Sequence, residues 1–168
     1  MGIDFGRDEL ILKGNTVIIS KLIGTLTVAG AQHANDFVGT TNTPITFSNC
    51  ARKIGGSGWI LGAEFVDGDN TTGVAGELWL FDTIPTGLGA DNAAFTINDV
   101  DAKYCIAVLP FSTYYASALN SVSFAAPAVP IPFVCVAGSQ DLYGAFVTRG
   151  APTYTTNVPY FRLFIAQD

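Results

Sequence analysis

Two stretches, Gly58–Val66 (GWILGAEFV) and Glu77–Asp82 (ELWLFD), decide the fold class of this chain. Both are rich in the aromatic and aliphatic residues that are typical of β-strands. Alternate residues of the first stretch are predicted to share one face, and this face consists of Trp59, Leu61, Ala63 and Phe65. The following Asp67–Asn70 (DGDN) predicts a turn, because glycine and asparagine readily adopt positive φ.

Similar short apolar runs, broken by Gly, Pro, Asn and Asp, recur along the chain. The further predicted strands are Thr16–Ser20, Leu22–Val28, Phe37–Thr41, Ile45–Ala51, Cys105–Pro110, Ser121–Ala125, Ile131–Ala137, Asp141–Arg149 and Tyr160–Ala166. Both faces of the last strand carry aromatic residues, so we expect it to be covered on both sides. Residues Thr96–Ala102 suit either one short turn of helix, with Thr96 as its cap, or a loop.

Many short strands and almost no helical periodicity predict an all-β protein. We expect a β-sandwich of jelly-roll or related Greek-key topology, although periodicity alone leaves the strand order open. The sandwich is predicted to span residues 15–168 as a single domain. Residues 1–14 have a composition that suits an extended N-terminal arm.

Charged residues are scarce in this chain. Only 13% of its residues are charged, against roughly a quarter in an ordinary soluble domain. Hydrophobic residues make up 49%, and the mean hydropathy is +0.37. We therefore expect much of the surface to face other protein chains, in a homo-oligomer or another assembly.

Several partners and locations are disfavoured by the same sequence. The net charge of −6 argues against nucleic acid and anionic membranes, which both attract basic patches. The longest uncharged apolar stretch, Ala125–Gly138, contains three prolines and cannot continue as a spanning helix. Residues 1–9 are too polar and acidic for a signal peptide, so we expect no targeting segment and synthesis in the cytoplasm of the producing cell.

The three cysteines, Cys50, Cys105 and Cys135, are odd in number and widely spaced. This spacing is typical neither of a disulfide framework nor of a zinc site. We expect buried free thiols in a reducing compartment.

The single histidine, His33, lies three residues before Asp36, and such a pair invites a catalytic interpretation. However, the sequence has no G-x-S-x-G motif to supply a nucleophile. A histidine in a surface loop or an interface is the favoured interpretation, and one histidine excludes the usual multi-histidine zinc sites.

The aspartates offer two further candidates. Asp67, Asp69 and Asn70 resemble the start of a calcium loop, but Thr71 and Leu78 occupy the positions where an EF-hand needs acids, so a plain hairpin turn is favoured. An acid/base pair could be drawn from Asp82, Asp91, Asp99 and Asp101. Aspartate is common in turns because it binds local backbone amides, so capping or solvated roles are favoured for these four.

Aromatic residues could form a sugar-binding platform made of Trp59, Trp79, Phe81, Tyr114 and Tyr115. Core or interface positions are favoured for them in an all-β chain. The glycine-rich Gly55–Gly58 lacks the Lys-Ser/Thr of a phosphate loop and enters a strand, which indicates a connection or bulge. We therefore assign no catalytic residue, no metal site and no cofactor.

From about residue 30 onward, a series of segments resembles small virion structural proteins of tailed bacteriophages. The segments are Ala34–Gly39 (ANDFVG), Phe47–Arg52 (FSNCAR), Gly55–Gly58 (GGSG), Ala63–Asp67 (AEFVD), Glu77–Asp82 (ELWLFD), Ala90–Asp99 (ADNAAFTIND) and Leu142–Tyr154 (LYGAFVTRGAPTY). The resemblance covers roughly four fifths of the chain, and residues 1–29 lie outside it.

This resemblance implies a non-enzymatic protein of the virion, present in many copies. The expected role is a capsid cement or decoration subunit that binds and stabilises a shell of major capsid protein. A tail or fibre-associated module is the first alternative. A carbohydrate-binding sandwich for host adsorption is the second, and an enzyme is the least favoured.

Overall fold

The computed structural model describes residues 17–25, 30–69, 74–154 and 159–168. Within them, strands follow one another with a single four-residue helix. The strands are β1 (Val17–Thr25), β2 (Gly30–Ala31), β3 (Asp36–Val38), β4 (Ile45–Phe47), β5 (Ser57–Asp67), β6 (Gly76–Phe81), β7 (Ala93–Ala94), β8 (Cys105–Phe111), β9 (Tyr114–Ala116), β10 (Ser121–Ala125), β11 (Ile131–Val134), β12 (Leu142–Thr148), β13 (Thr153–Tyr154) and β14 (Tyr160–Gln167). The helix is α1 (Asp99–Ala102). The predicted all-β class is confirmed, whereas the predicted arm, residues 1–14, lies outside the described residues.

The described strands form two six-stranded antiparallel sheets and one two-stranded pair. Sheet I has the order β1-β14-β5-β10-β9, with β11 also paired to β5. Sheet II has the order β7-β3-β12-β6-β8, with β4 also paired to β12. Strands β2 and β13 pair with each other.

The two sheets pack face to face around aromatic side chains. Phe65 of sheet I lies 5.0 Å, between ring centroids, from Phe146 of sheet II and 5.0 Å from Phe161. Phe111 of sheet II contacts the same group, 5.7 Å from Phe65. All four rings are essentially inaccessible to solvent, so burial of their apolar area holds the sandwich together.

Sheet II is also covered on its outer face, by the chain between β6 and β8. Leu88, Phe95 and Ile97 from that segment pack against outward-facing residues of the sheet, among them Phe81 and Tyr143. As a result, every residue of β12 is buried. The strand that is covered on both sides is therefore β12.

Strand β14, for which we predicted cover on both sides, is fully buried on one face only. Phe161, Leu163 and Ile165 point into the core, whereas Tyr160 on the other face is 38% exposed. The prediction was wrong for this strand because the outer face of sheet I has no covering segment comparable to the one on sheet II within the described residues.

A bulge in β5 corrects the predicted face of that strand. Pairing with β14 shifts register where Phe164 opposes Gly62 and Ile165 opposes Ile60, so Leu61 is the extra residue. An extra residue reverses the side-chain alternation on one side of the bulge. Ile60, Ala63 and Phe65 consequently point into the core, while Trp59 lies on the outer face.

The short helix predicted as one option near Thr96 exists, but it begins later and has a different cap. Asn98 is the N-cap, and its side-chain oxygen accepts hydrogen bonds from the backbone N–H groups of Val100 (2.9 Å) and Asp101 (2.8 Å). Asparagine is among the best N-cap residues, which explains why the helix begins at Asp99 rather than next to Thr96.

Candidate functional site

His33 and Asp36 form a turn at the surface. Asp36 Oδ2 accepts a hydrogen bond from the His33 backbone N–H (2.6 Å) and lies 3.3 Å from Nδ1 of the exposed imidazole. The His33 carbonyl in turn accepts from the Thr148 hydroxyl at 2.7 Å. The Asp36 carboxylate is thus engaged in holding the turn, in agreement with the surface-loop interpretation of His33.

Asp67 is the last residue of β5 and leads into a turn, as predicted. Its carboxylate accepts a hydrogen bond from the Asp69 backbone N–H at 2.9 Å. Asn70, the third residue of the calcium-like pattern, lies outside the described residues. Asp67 is buried and pairs across the ladder with Ser121, which is also fully buried. Burial raises the pKa of the nearby Tyr114 hydroxyl, and the negative charge of Asp67 raises it further.

The four aspartates considered as acid/base pairs lie in separate local environments. Asp91 Oδ1 accepts from the Gly39 N–H at 3.0 Å, and Asp82 Oδ1 accepts from the Thr83 hydroxyl at 2.9 Å. Asp99 is exposed in the first turn of α1. The structure brings no two of these four carboxylates into a shared contact within its described part.

Asp101 is the most heavily bonded of these aspartates. Its buried Oδ2 accepts from the backbone N–H groups of Thr86 and Gly87, both at 2.9 Å, and from Asn98 Nδ2 at 2.8 Å. These bonds tie the loop after β6 to the helix that precedes β8. Asp101 therefore organises the segment that covers sheet II.

The three thiols are free, as predicted, and Cys50 and Cys135 are buried. Burial raises the pKa of all three, to about 11 for Cys135. Thiols with raised pKa values hold little of the reactive thiolate at neutral pH. Cys105 is half-buried and lies within the cluster on the outer face of sheet II.

The five aromatic residues considered as a sugar platform do not share one surface. Phe81 is buried, and Trp79 packs against Phe95 on the outer side of sheet II, with 5.2 Å between ring centroids. Tyr114 points inward and meets the Phe65 ring edge-on. Only Trp59 and Tyr115 of this set lie on the outer face of sheet I, where they are 41% and 67% exposed.

The outer face of sheet I is the candidate functional surface. One row of neighbouring residues crosses four strands in register, and it consists of Tyr115, Val122, Val66 and Tyr160. The next row contains Phe124, Glu64 and Arg162. Phe124 is 54% exposed, and its ring centroid lies 6.4 Å from that of Tyr115. We refer to these two rows as the aromatic face.

Strand β10 has an inverted polarity. Its sequence, SVSFA, places Ser121 and Ser123 inside the sandwich, fully buried, while Val122 and Phe124 point outward. The Ser123 hydroxyl donates to the Thr113 carbonyl at 2.7 Å. The hydroxyl of Ser121 has no partner within the described residues. A slip of one residue would bury Val122 and Phe124 instead, so the observed register leaves Phe124 exposed and Val122 half-buried.

The charges on the aromatic face are one acid and one base. Glu64 and Arg162 are ladder partners on β5 and β14 and form an ion pair. The Glu64 side chain is largely covered, which weakens solvent screening of the pair. The aromatic face is therefore electrically neutral, although the whole chain carries −6.

No group of three or more His, Cys, Asp or Glu side chains with metal-ligand geometry occurs in residues 17–25, 30–69, 74–154 and 159–168. Over the same ranges, no helix has the length and apolar character required to cross a membrane. No family model matches the chain, and no match was found among curated proteins or among solved structures.

Sequence reasoning missed the residues that complete the aromatic face. Phe124, Tyr160, Glu64 and Arg162 were not among the candidate site residues. For Phe124, the sequence did contain a signal. In SVSFA, serines alternate with Val122 and Phe124, so a strand here must turn either the serines or the two apolar residues away from the core.

Proposed function

We propose that this chain is a non-enzymatic structural protein of a virion, most specifically a cement or decoration subunit on a shell of major capsid protein. The observation that carries the proposal is the aromatic face, a neutral and exposed apolar surface on the open side of sheet I. The resemblance of the segments from Ala34 to Tyr154 to phage structural proteins supplies the virion context.

The chemistry of such a subunit is burial of apolar surface at a shared boundary. Tyr, Phe and Arg are enriched in the cores of protein interfaces, because all three bury a large apolar area and Tyr and Arg also form hydrogen bonds. Tyr115, Tyr160, Phe124 and Arg162 supply these residue types on one side of the molecule. The engagement of Asp36, Asp91 and Asp101 in backbone contacts is consistent with a role that needs no acid/base pair.

We propose that the subunit acts as a homo-oligomer in the assembled particle, with a trimer favoured at a three-fold position of the shell. Neither nucleic acid nor membrane is part of the proposal, and no cofactor is required. The jelly-roll or related Greek-key strand order expected for such a subunit stays a prediction. The arm of residues 1–14 is proposed to dock on a neighbouring chain.

Co-sedimentation with shells assembled from the major capsid protein of the same virus tests this function. We expect the chain to pellet with the shells in a fixed ratio and to raise the temperature at which they fall apart. Deleting residues 1–14 is expected to lower the occupancy. A chain that stays in the supernatant at every concentration would overturn the capsid role, and antibody labelling confined to the tail would support the tail-module alternative instead.

Carbohydrate binding is a second candidate, favoured by the exposure of Trp59 and Tyr115 on the same sheet face. Aromatic rings presented on a flat sheet can stack against sugar rings. A glycan array that shows binding, abolished by Trp59→Ala, would support it. Absence of binding, with Trp59 fluorescence unaffected by added sugars, would remove it.

A further inference from the structure

We propose that the aromatic face packs against a second copy of this chain. This inference deepens the assembly role proposed above and rests on its oligomeric part. It assigns the contact surface to the rows formed by β9, β10, β5 and β14.

The first argument is the contrast between the two sheets. The outer face of sheet II is covered by the chain's own Leu88, Phe95 and Ile97. Within the described residues, the aromatic face has no such cover, and Tyr115 and Phe124 remain more than half exposed. Burial of apolar area is the dominant favourable contribution to protein association, so a partner that covers these rings is stabilised by the contact.

The second argument is the inverted polarity of β10. Two serines occupy the core side, while Val122 and Phe124 occupy the solvent side. For an isolated subunit, this arrangement is unfavourable on both faces, because the Ser121 hydroxyl is desolvated without a partner in the described residues and a phenyl ring is hydrated. Burial of the outer side chains by another molecule removes the second of these costs.

The third argument selects the partner. The chain carries a net charge of −6, so two copies repel each other wherever acidic surfaces meet. The charges of the aromatic face are Glu64 and Arg162, which pair with each other and make the face neutral. Two copies can therefore meet at this face without the repulsion that acidic surfaces would cause. A strongly charged partner would instead be expected to meet a surface of opposite net charge.

The contact can be tested with the full chain by measuring its mass in solution from about 1 to 100 µM, by light scattering after size exclusion. We expect the wild type to be a dimer or trimer and the double variant Tyr115→Ser/Phe124→Ser to dissociate at least about tenfold more readily. The matched control is Ile84→Ser/Val100→Ser, which removes two comparably exposed apolar side chains elsewhere and is expected to retain the wild-type mass.

A second measurement covers the case in which the double variant fails to fold. The photo-crosslinking residue p-benzoylphenylalanine is introduced by Phe124→p-benzoylphenylalanine, and separately at Val100 as control. Crosslinked multimers from position 124 but not from position 100 support the proposal.

Two results would overturn this assignment, and they bear differently on the proposed function. An oligomer whose mass is unaffected by the Tyr115/Phe124 changes, with no crosslink from position 124, would reject the aromatic face but leave the oligomeric role intact. A wild-type monomer over the whole concentration range would reject the self-association itself. Co-sedimentation alone would then decide whether the chain binds capsid shells.

Discussion

The two buried serines of β10 differ in a single hydrogen bond. Ser123 donates to the Thr113 carbonyl, whereas the Ser121 hydroxyl has no partner in the described part of the chain. We predict that Ser123→Ala lowers the free energy of unfolding by about 0.5–1.5 kcal/mol, because the hydrogen bond from the buried Ser123 hydroxyl is lost. Ser121→Ala is expected to leave that free energy unchanged or to raise it, because a desolvated hydroxyl is removed.

Urea denaturation of the two variants measures this difference directly. Each serine serves as the control for the other, since both are fully buried on the same face of one strand. Equal destabilisation by both changes would show that the Ser121 hydroxyl is bonded in solution, for example to an ordered water molecule.

Glu77 illustrates how one surface ion pair makes stability depend on pH. Arg149 donates to Glu77 and also to Asn35, and Trp79 Nε1 donates to Glu77 Oε2 at 3.1 Å. The hydrogen bond from Arg149 is the main cause that lowers the pKa of Glu77 below its usual 4.5. A carboxylate with a lowered pKa contributes stability above its unfolded pKa, and this contribution is lost as pH falls through the folded value.

We therefore predict that Glu77→Gln lowers the free energy of unfolding at pH 7 by less than about 1 kcal/mol, as is usual for a partly exposed pair. The difference from wild type should shrink as pH falls below 4.5. Chemical denaturation at pH 7, 5 and 3 measures it, with the double change Glu77→Gln/Arg149→Gln closing a thermodynamic cycle. A difference that grows on acidification would contradict the assignment.

The element that covers sheet II depends on one carboxylate, Asp101. Replacing it by alanine leaves the backbone N–H groups of Thr86 and Gly87 without the buried carboxylate that accepts from both. We predict that Asp101→Ala lowers the free energy of unfolding by about 2–4 kcal/mol and speeds amide hydrogen exchange between β6 and β8.

Asp99→Ala is the control for this change, because Asp99 lies in the same helix turn but is exposed. It is expected to cost less than about 1 kcal/mol, through its interaction with the helix N-terminus. Similar exchange rates in the Asp101 and Asp99 variants would argue against an organising role for Asp101.

The positions of the strands were largely predictable from the sequence. Which face of a strand meets the core was not always predictable. Gly58–Val66 and Glu77–Asp82 differ from β5 and β6 by one residue at each end, because their apolar runs are bounded by turn residues. The extra residue, Leu61, is itself ordinary for a strand, and the local signal for the reversal of alternation is the adjacent Gly62, because glycine inside a strand often marks a bulge. The short strands β2, β7 and β13 depend on partners far along the chain and carry little local signal.

The candidate surface was predictable only in part, because its location depends on how distant strands pair. The shortage of charge indicated an apolar exterior somewhere, but its location depends on which face of β10 meets the core. Trp59 and Tyr115 were recognised as candidate platform residues, while Trp79 was grouped with them although it lies on the other sheet. Only the register of β10 against β5 places Phe124 beside Glu64 and identifies the face.

For the whole molecule, the buried thiols report on opening of the sandwich. We predict that native Cys50 and Cys135 react with iodoacetamide at pH 8 only as fast as the sandwich unfolds, since both are buried and burial raises their pKa values. Half-buried Cys105 should react first.

Mass spectrometry of labelled peptides over time gives the order, and labelling in urea provides the unprotected reference. Reaction of Cys50 at the rate seen in urea, under conditions where circular dichroism shows a folded chain, would contradict the close packing of the core around it.

The antiparallel pairing of β1 with β14 sets Val17 opposite Gln167, at one edge of sheet I. The point at which the chain enters the sandwich and the point at which it leaves are therefore neighbours. A short peptide joining these points would permit circular permutation, with new termini opened in an exposed connection such as the one between β10 and β11. The same geometry would let the sandwich be inserted as a unit into a loop of another protein, with little displacement of the host's backbone.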